Sequence, residues 1–286
     1  MTERYEWTSV MTRARERRGV ALMGVCNVTP DSFSDGGAYL SAAEARARVD
    51  VLVDEGADIV DVGGESTRPG ARPVSDDEQL ARVLGVVRYA SQRVLVSVDT
   101  TSPGVADACL QAGARAVNDV SCLRNAALAD VCARHGAALV LMHARGTQQQ
   151  MAGFSTYADD AYGDMVATVL SEWTAAANAA RARGVTTLVM DPGLGFAKNA
   201  RQSADLLRRT AELVAGAGVP VAIGASRKSF LKIVDPDAAP LERIGASLAA
   251  ALFAAGAGAS VLRVHDVRAT RQAVDLSRSM SRVADD

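Results

Sequence analysis

The 286-residue chain carries 31 Lys and Arg against 33 Asp and Glu, a formal net charge of −2. That balance excludes a dedicated binder of nucleic acid or anionic membrane, because such partners select a surplus of positive charge. A hydrophobic share of 49% excludes a disordered chain, and an aromatic share of 4% with abundant Ala, Val and Gly favours helices packed on strands over a β-sandwich.

Residues 1–18 are charged throughout and lack the apolar stretch of a secretory signal, so they read as an N-terminal extension to a single domain spanning 19–286. The longest uncharged run, Ser247 to Leu262, is shorter than the roughly 20 residues a membrane-spanning helix requires. Cys26, Cys109, Cys122 and Cys132 form no C-x-x-C pair, which fits reduced thiols. Together these features lead us to expect a soluble, cytoplasmic protein.

The first strand is the apolar run Val20 to Val28. After it, one punctuation recurs: a helical pattern ends at a glycine and a short β-branched or apolar run follows. Gly56 precedes Asp58-Ile59-Val60, Gly113 precedes Arg115-Ala116-Val117, and Gly136 precedes Ala138-Leu139-Val140. Gly184, Gly218 and Gly258 repeat the pattern before Thr187-Leu188-Val189, Val219-Pro220-Val221 and Ser260-Val261-Leu262. Glycine tolerates the left-handed backbone that closes a helix, so each marks a helix-to-strand loop. Val94 to Val98 supplies the eighth strand. Ser41 with Glu44 and Ser75 with Glu78 have capping-box spacing, while Ser102-Pro103 places a cap before a proline at the first helical position. Eight strands alternating with eight helices predict a parallel (β/α)8 barrel. An open doubly wound sheet is weakened because no G-x-G-x-x-G turn follows the first strand.

Catalytic groups of such barrels project from the C-terminal ends of the strands. Those ends carry Asn27, Asp61, Asp99, Asn118, His143, Asp191, the Ser226-Arg227-Lys228-Ser229 stretch, and Arg263 with His265. Taken singly, Asp99 or Asp191 would serve as a helix cap and Asn118 as a turn residue. Their joint placement at one mouth points instead to a site for a flat heterocycle with donor and acceptor edges. Arg263 and His265 alternate on the last strand and so share a face, an arrangement suited to phosphate. Two glycine-bearing loops, 29–37 and 63–70, have the composition of active-site covers. The segment Gly224 to Ser229 has Arg227 where a phosphate loop needs glycine, which excludes a triphosphate site. Neither G-x-S-x-G nor a metal-ligand cluster is present, so covalent serine catalysis is not expected. His135 precedes Gly136 and is expected to contact the last helical carbonyls; His143 stays open between a structural and a functional role.

At these residues the chain closely resembles the bacterial dihydropteroate synthases. The segments MGVCNVTPDSFSDGG, DIVDVGGESTRPGA, VSVDT, AVNDVS, LMHARGT, DPGLGFAK, GASRKSFL and RVHDVRAT carry the likeness from Leu22 to Thr270. The resemblance implies a (β/α)8 barrel that joins a dihydropterin carrying a CH2-pyrophosphate to p-aminobenzoate, releasing pyrophosphate. It implies a pterin edge held by Asp99, Asn118, Asp191 and Lys228, with the Arg263 guanidinium along the ring. It places the pyrophosphate at Asn27, Thr67, Arg263 and His265, with magnesium (Mg2+) near Asn27. Phe196 would line the p-aminobenzoate pocket, which sulfonamides would contest, and Ser229 with the helix start behind it would accept the carboxylate. Asp35, Arg68 and Pro69 would close over the nucleophile. A homodimer is likewise implied. Cys122 departs from the family's usual glycine, and Gln148 to Gln150 from a stretch that often contains proline. A methyl-carrying or non-catalytic pterin-binding barrel is the alternative, sharing the Asp and Asn set but having no use for the NVTPDSFSDGG, ESTRPG and SRKSF segments. A sugar-phosphate aldolase would need a Schiff-base lysine on a strand, and Lys228 is the one candidate.

Overall fold

All six punctuating glycines adopt positive φ, from 60° at Gly136 to 116° at Gly113, so each crossover ends in the left-handed turn that its sequence predicts. The computed structural model describes residues 5–29, 42–66, 74–146 and 157–283. Eight parallel strands follow one another: β1 (Ala21–Asn27), β2 (Ile59–Gly63), β3 (Leu95–Asp99), β4 (Ala116–Asp119), β5 (Ala138–Met142), β6 (Leu188–Asp191), β7 (Ala222–Ile223) and β8 (Val261–Val264). The sheet order is β6-β5-β4-β3-β2-β1-β8-β7, and a parallel bridge between Met190 and Val221 joins its two ends into a barrel.

The helices are α1 (Trp7–Arg18), α2 (Ala42–Glu55), α3 (Asp76–Ala90), α4 (Pro103–Gln111), α5 (Ala127–His135), α6 (Met165–Ala182), α7 (Ala200–Arg208), α8 (Thr210–Ala217), α9 (Ile244–Gly256) and α10 (Val267–Val283). Among the described residues two helices exceed the expected eight: α1 precedes the barrel, and the crossover after β6 is divided into α7 and α8. Ser75 and Ser102 cap α3 and α4 as their spacing predicts, accepting from the amides of Glu78 and Val105 at 3.3 Å each. Ser41 lies outside the described residues.

Side chains of a strand alternate between faces, so each strand has a helix-facing and a barrel-facing set. The helix-facing set, including Leu22, Val60, Val62, Val96, Val98, Leu139, Leu141 and Leu262, belongs to the large outer core. The barrel-facing set changes character along the strands. Its lower residues, among them Met23, Ile59, Leu95, Ala116, Val189 and Val261, form a separate apolar cluster. Two residues further up each strand stand Val25, Asp61, Ser97, Asn118, Asp191 and Arg263. The barrel is thus apolar at its floor and polar at its mouth.

Residues 5–18 do not stand off as an appendage. Trp7, Val10 and Ala14 of α1 are buried in the same cluster as the floor residues of the strands, so α1 closes the bottom of the barrel. Arg18, 4% exposed, pairs with Asp58 at 2.6 Å and ties the end of α1 to the loop before β2.

Candidate active site

The register places Met23 beside Arg263, Val25 beside Asp61, Asp61 beside Ser97, and Asp99 beside Asn118. From β8 the Arg263 guanidinium reaches into the barrel mouth, donating from Nε to Asp61 Oδ2 at 2.7 Å and from one terminal nitrogen to Asp99 Oδ2 at 2.8 Å. Asn118 Nδ2 donates to the same Asp61 oxygen at 3.1 Å. Burial pushes the Asp99 carboxyl well above the usual carboxylate range, although Arg263 opposes the shift. Burial also disfavours the charge on Arg263, but Asp61 and Asp99 outweigh it and raise its pKa. Asp61 Oδ1, Asp99 Oδ1 and Ser97 Oγ are buried without a hydrogen-bond partner among the described residues. An unpaired buried acceptor is costly, so these oxygens suit a ligand that brings its own donors.

Opposite this cluster, Asp191 ends β6. Its Oδ1 accepts from the amide of Gly193 at 2.7 Å. Its Oδ2, Lys228 Nζ and Arg263 Cβ all lie 3.7–3.8 Å from where a side chain on Gly224 would begin, so a glycine leaves a slot between them. Burial lowers the Lys228 ammonium to about 8 despite Asp191. Lys228 Nζ donates to the carbonyl of Leu194 at 2.6 Å and sits 4.6 Å from the centre of the half-buried Phe196 ring. At Gly63 a side chain would be crowded, with Asn27 Oδ1 3.3 Å and Asp99 Oδ2 3.8 Å from where it would begin, so both oxygens approach the strand backbone there.

His265 continues β8 above Arg263. Its Nδ1 and its amide lie 3.1 and 3.2 Å from Ser226 Oγ, and its carbonyl accepts from Arg48 at 2.8 Å. Burial, with Arg263 and Arg227 beside it, pulls the imidazole down to about 3, so His265 offers a neutral donor rather than a third cation. Ser229 Oγ is buried and unpartnered among the described residues. The helix start expected behind Ser229 is corrected: Ser229–Ile233 is a five-residue 3-10 turn, too short for the dipole of an α-helix end. Asp35, Thr67, Arg68 and Pro69 lie outside the described residues, as do Gln148 to Gln150.

Two further expectations change. His135 bonds Asp107 through Nε2 at 2.9 Å rather than helical carbonyls. His143 is fully buried beneath the mouth, between Glu172 and Lys198 at 2.9 Å each. Asp61, placed by its strand end among the mouth residues but given no ligand of its own by the family resemblance, accepts from both Arg263 and Asn118. Its signal was available: an aspartate on an otherwise apolar strand, two residues above the barrel-facing Ile59, must find a cation or donor inside. Arg227, named in the strand-end stretch without a specific partner, turns out to be held in place by its neighbours. It holds φ +60°, unusual for a side-chain-bearing residue, and Asp266 pairs with its guanidinium while Ser247 Oγ accepts from its amide at 2.9 Å. Cys122 likewise adopts φ +59°, which accounts physically for glycine being usual there in the family that this sequence resembles.

Comparison with known proteins agrees with this geometry. Residues 23–265 match the family described as pterin binding enzyme. The dihydropteroate synthase of Mycobacterium leprae is 46% identical over 264 residues, covering 89% of this chain and 91% of that one. A Xanthomonas albilineans dihydropteroate synthase solved with 4-aminobenzoic acid superposes with a TM-score of 0.83 at 39% identity, covering 92% and 93% of the two chains. A Yersinia pestis dihydropteroate synthase in a sulfonamide drug complex gives 0.84 at 35% identity, covering 92% and 94%. With the pterin-binding match reaching all eight strands and the same barrel in its relatives, the chain belongs to the dihydropteroate synthases of the pterin-binding enzyme family.

Proposed function

We propose that this chain condenses a 6-hydroxymethyl-7,8-dihydropterin pyrophosphate with p-aminobenzoate, forming dihydropteroate and releasing pyrophosphate. The observation that carries the site reading is the slot over Gly224, walled by Asp191, Lys228 and Arg263. A flat ring would lie against this glycine, where no Cβ projects, and the surrounding acceptors and donors match a pterin edge. Asp99 Oδ1, Asn118 and Asp191 would receive or orient the pterin amide and amino groups, and Lys228 would donate to its carbonyl. In doing so it would leave Leu194.

The bond that breaks joins the pterin CH2 to the pyrophosphate oxygen, and the electron pair departs with pyrophosphate. Arg263 and the neutral His265 would donate to that leaving group, while the unpaired carboxylate oxygens beneath favour the carbocation left on the pterin. The amine of p-aminobenzoate is neutral near pH 7 and attacks with its own lone pair, so no strong base is needed. Its proton then passes to solvent. Phe196 would stack beside the incoming ring and Ser229 Oγ would meet its carboxylate, the group that a sulfonamide would mimic.

Magnesium fits this arrangement in one specific way. Among the described residues no group of three His, Cys, Asp or Glu could hold a metal. Asn27 offers a single hard oxygen at the rim, next to the carboxylate of Asp99. Such a sparse donor set suits an ion held chiefly by substrate phosphates. When bound, it would neutralise charge on the leaving pyrophosphate.

We further propose a homodimer and a cytoplasmic location. No helix among the described residues is long and apolar enough to cross a membrane. The homodimer is supported by an apolar groove of about 520 Å³ between α7, the Ser229–Ile233 turn and α9, flanked by exposed Ile233, Val234 and Phe253. The deciding experiment mixes purified protein, Mg2+, the pterin pyrophosphate and p-aminobenzoate. Release of pyrophosphate dependent on both substrates is expected, and its absence sinks the synthase reading.

A further inference from the structure

The loop from Asp191 to Lys198 follows β6, and side chains take up four of its carbonyl groups. Lys198 Nζ donates to Gly193 O at 3.2 Å and Phe196 O at 3.0 Å, Lys228 to Leu194 O at 2.6 Å, and Tyr162 Oη to Ala197 O at 2.7 Å. Lys198 is 0% exposed. Burial lowers its pKa to about 7 although Asp191 opposes the shift, and a buried amine must place its protons on acceptors whether charged or neutral. Its remaining partner is His143 Nδ1 at 2.9 Å, with a longer contact to His143 O at 3.5 Å. The opposite ring nitrogen of His143 meets Glu172 at 2.9 Å, and Arg145 Nε also donates to Glu172 at 2.9 Å.

These contacts fix the direction of the chain. Hydrogen bonds from Arg145 pull the Glu172 carboxyl down to about 2, so it is an acceptor at neutral pH. His143 must then donate from Nε2 and accept at Nδ1, which is where Lys198 donates. The loop lies against β5 so closely that a Cβ on Gly193 would stand 2.1 Å from His143 O. The buried lysine and this close approach together set the height of the loop over the mouth.

We infer that Lys198 is a positioning residue for the second substrate: through the Gly193 and Phe196 carbonyls it sets the Phe196 ring against which p-aminobenzoate is held. The inference rests on the synthase reading and deepens it. Asp191, by contrast, is held by the strand ladder itself, since its carbonyl accepts from the amide of His143 at 2.8 Å. Loss of Lys198 should therefore move the ring more than the pterin acceptors.

The test compares steady-state constants of the wild type and Lys198→Met. The expected result is a KM for p-aminobenzoate raised about tenfold, with kcat and the KM for the pterin pyrophosphate each within about threefold of wild type. An unchanged KM for p-aminobenzoate, a loss confined to kcat, or equal rises for both substrates would overturn the inference, because a merely structural lysine lowers the active fraction without that selectivity. If Lys198→Met does not fold, Glu172→Gln decides, since it unsettles the His143 tautomer while leaving the buried Lys198 side chain in place. It should speed amide exchange at residues 193–197 and raise the same KM about threefold; no change in either overturns the inference. A wild-type protein that releases no pyrophosphate removes the synthase reading itself, and that outcome is distinct from an active wild type with an unaltered variant.

Discussion

Arg263 is the side chain on which the mouth depends, because a single guanidinium bridges two carboxylates from neighbouring strands. A lysine there supplies one point charge and cannot span both partners. Arg263→Lys should leave one buried carboxylate uncompensated, costing about 3 kcal/mol of stability by denaturant titration. It should also lower kcat/KM by roughly 100-fold if the guanidinium donates to the departing pyrophosphate. His265 makes a separate prediction about acid. Its imidazole is held neutral to about pH 3, whereas in the unfolded chain it titrates near 6.5. As pH falls through that window the unfolded chain takes up a proton that the folded one refuses, so stability is lost on acidification. Full linkage is about 1.4 kcal/mol per pH unit for one group. His265→Asn should flatten the fall of stability between pH 6 and 4, and an unaltered slope in chemical denaturation would contradict the burial argument. The variant keeps a remaining slope of the same sign from His143, which is also lowered to about 3 by burial.

At the scale of elements, α1 carries a prediction because it closes an apolar floor that the eight strands leave uncovered. Trp7 is 7% exposed. Trp7→Ala should destabilise the protein by about 3 kcal/mol or more, the usual cost of deleting a buried indole. The change lies at the end of the barrel opposite the mouth, so the KM values of the surviving folded enzyme should stay at wild-type levels. Thermal unfolding with parallel kinetics separates these two effects. β7, two residues against the four to seven of the other strands, is the shortest strand of the barrel. It is completed by a single bridge between Met190 and Val221, and directly after it stand Gly224 and the Ser226-to-Ser229 stretch of the site.

For the molecule as a whole, the proposed homodimer is testable at the groove between α7 and α9. Phe253 is 51% exposed, with Val234 73% and Leu241 67% exposed on the same side of the barrel. Apolar surface in this concentration marks an interface. Phe253→Glu places a charge there and should halve the mass measured by sedimentation equilibrium, while the mouth, built from strand ends, keeps its ligand contacts. A wild-type protein that already sediments as a monomer would end the homodimer proposal.

Much of this architecture was legible in the chain because it is written in local chemistry. A glycine that must take positive φ after each helix, a serine three residues before the amide it caps, and β-branched runs between them are decided within a few residues. The strand-end polar set was legible for the same reason: parallel barrels gather all strand ends at one mouth, so position along a strand already tells position in the site. Partnership was not legible. Asp61 and Arg263 are 202 residues apart, and their pairing at 2.7 Å follows from a sheet register that no local signal encodes. The neutral His265, the buried Lys198 between two loops, and the folding of residues 5–18 under the barrel depend in the same way on which surfaces closure brings together. Sequence determined which groups the protein owns and the end of the barrel where they emerge. Tertiary structure decided which of them share protons and which are stripped of water, because burial and distance exist only once the barrel is closed.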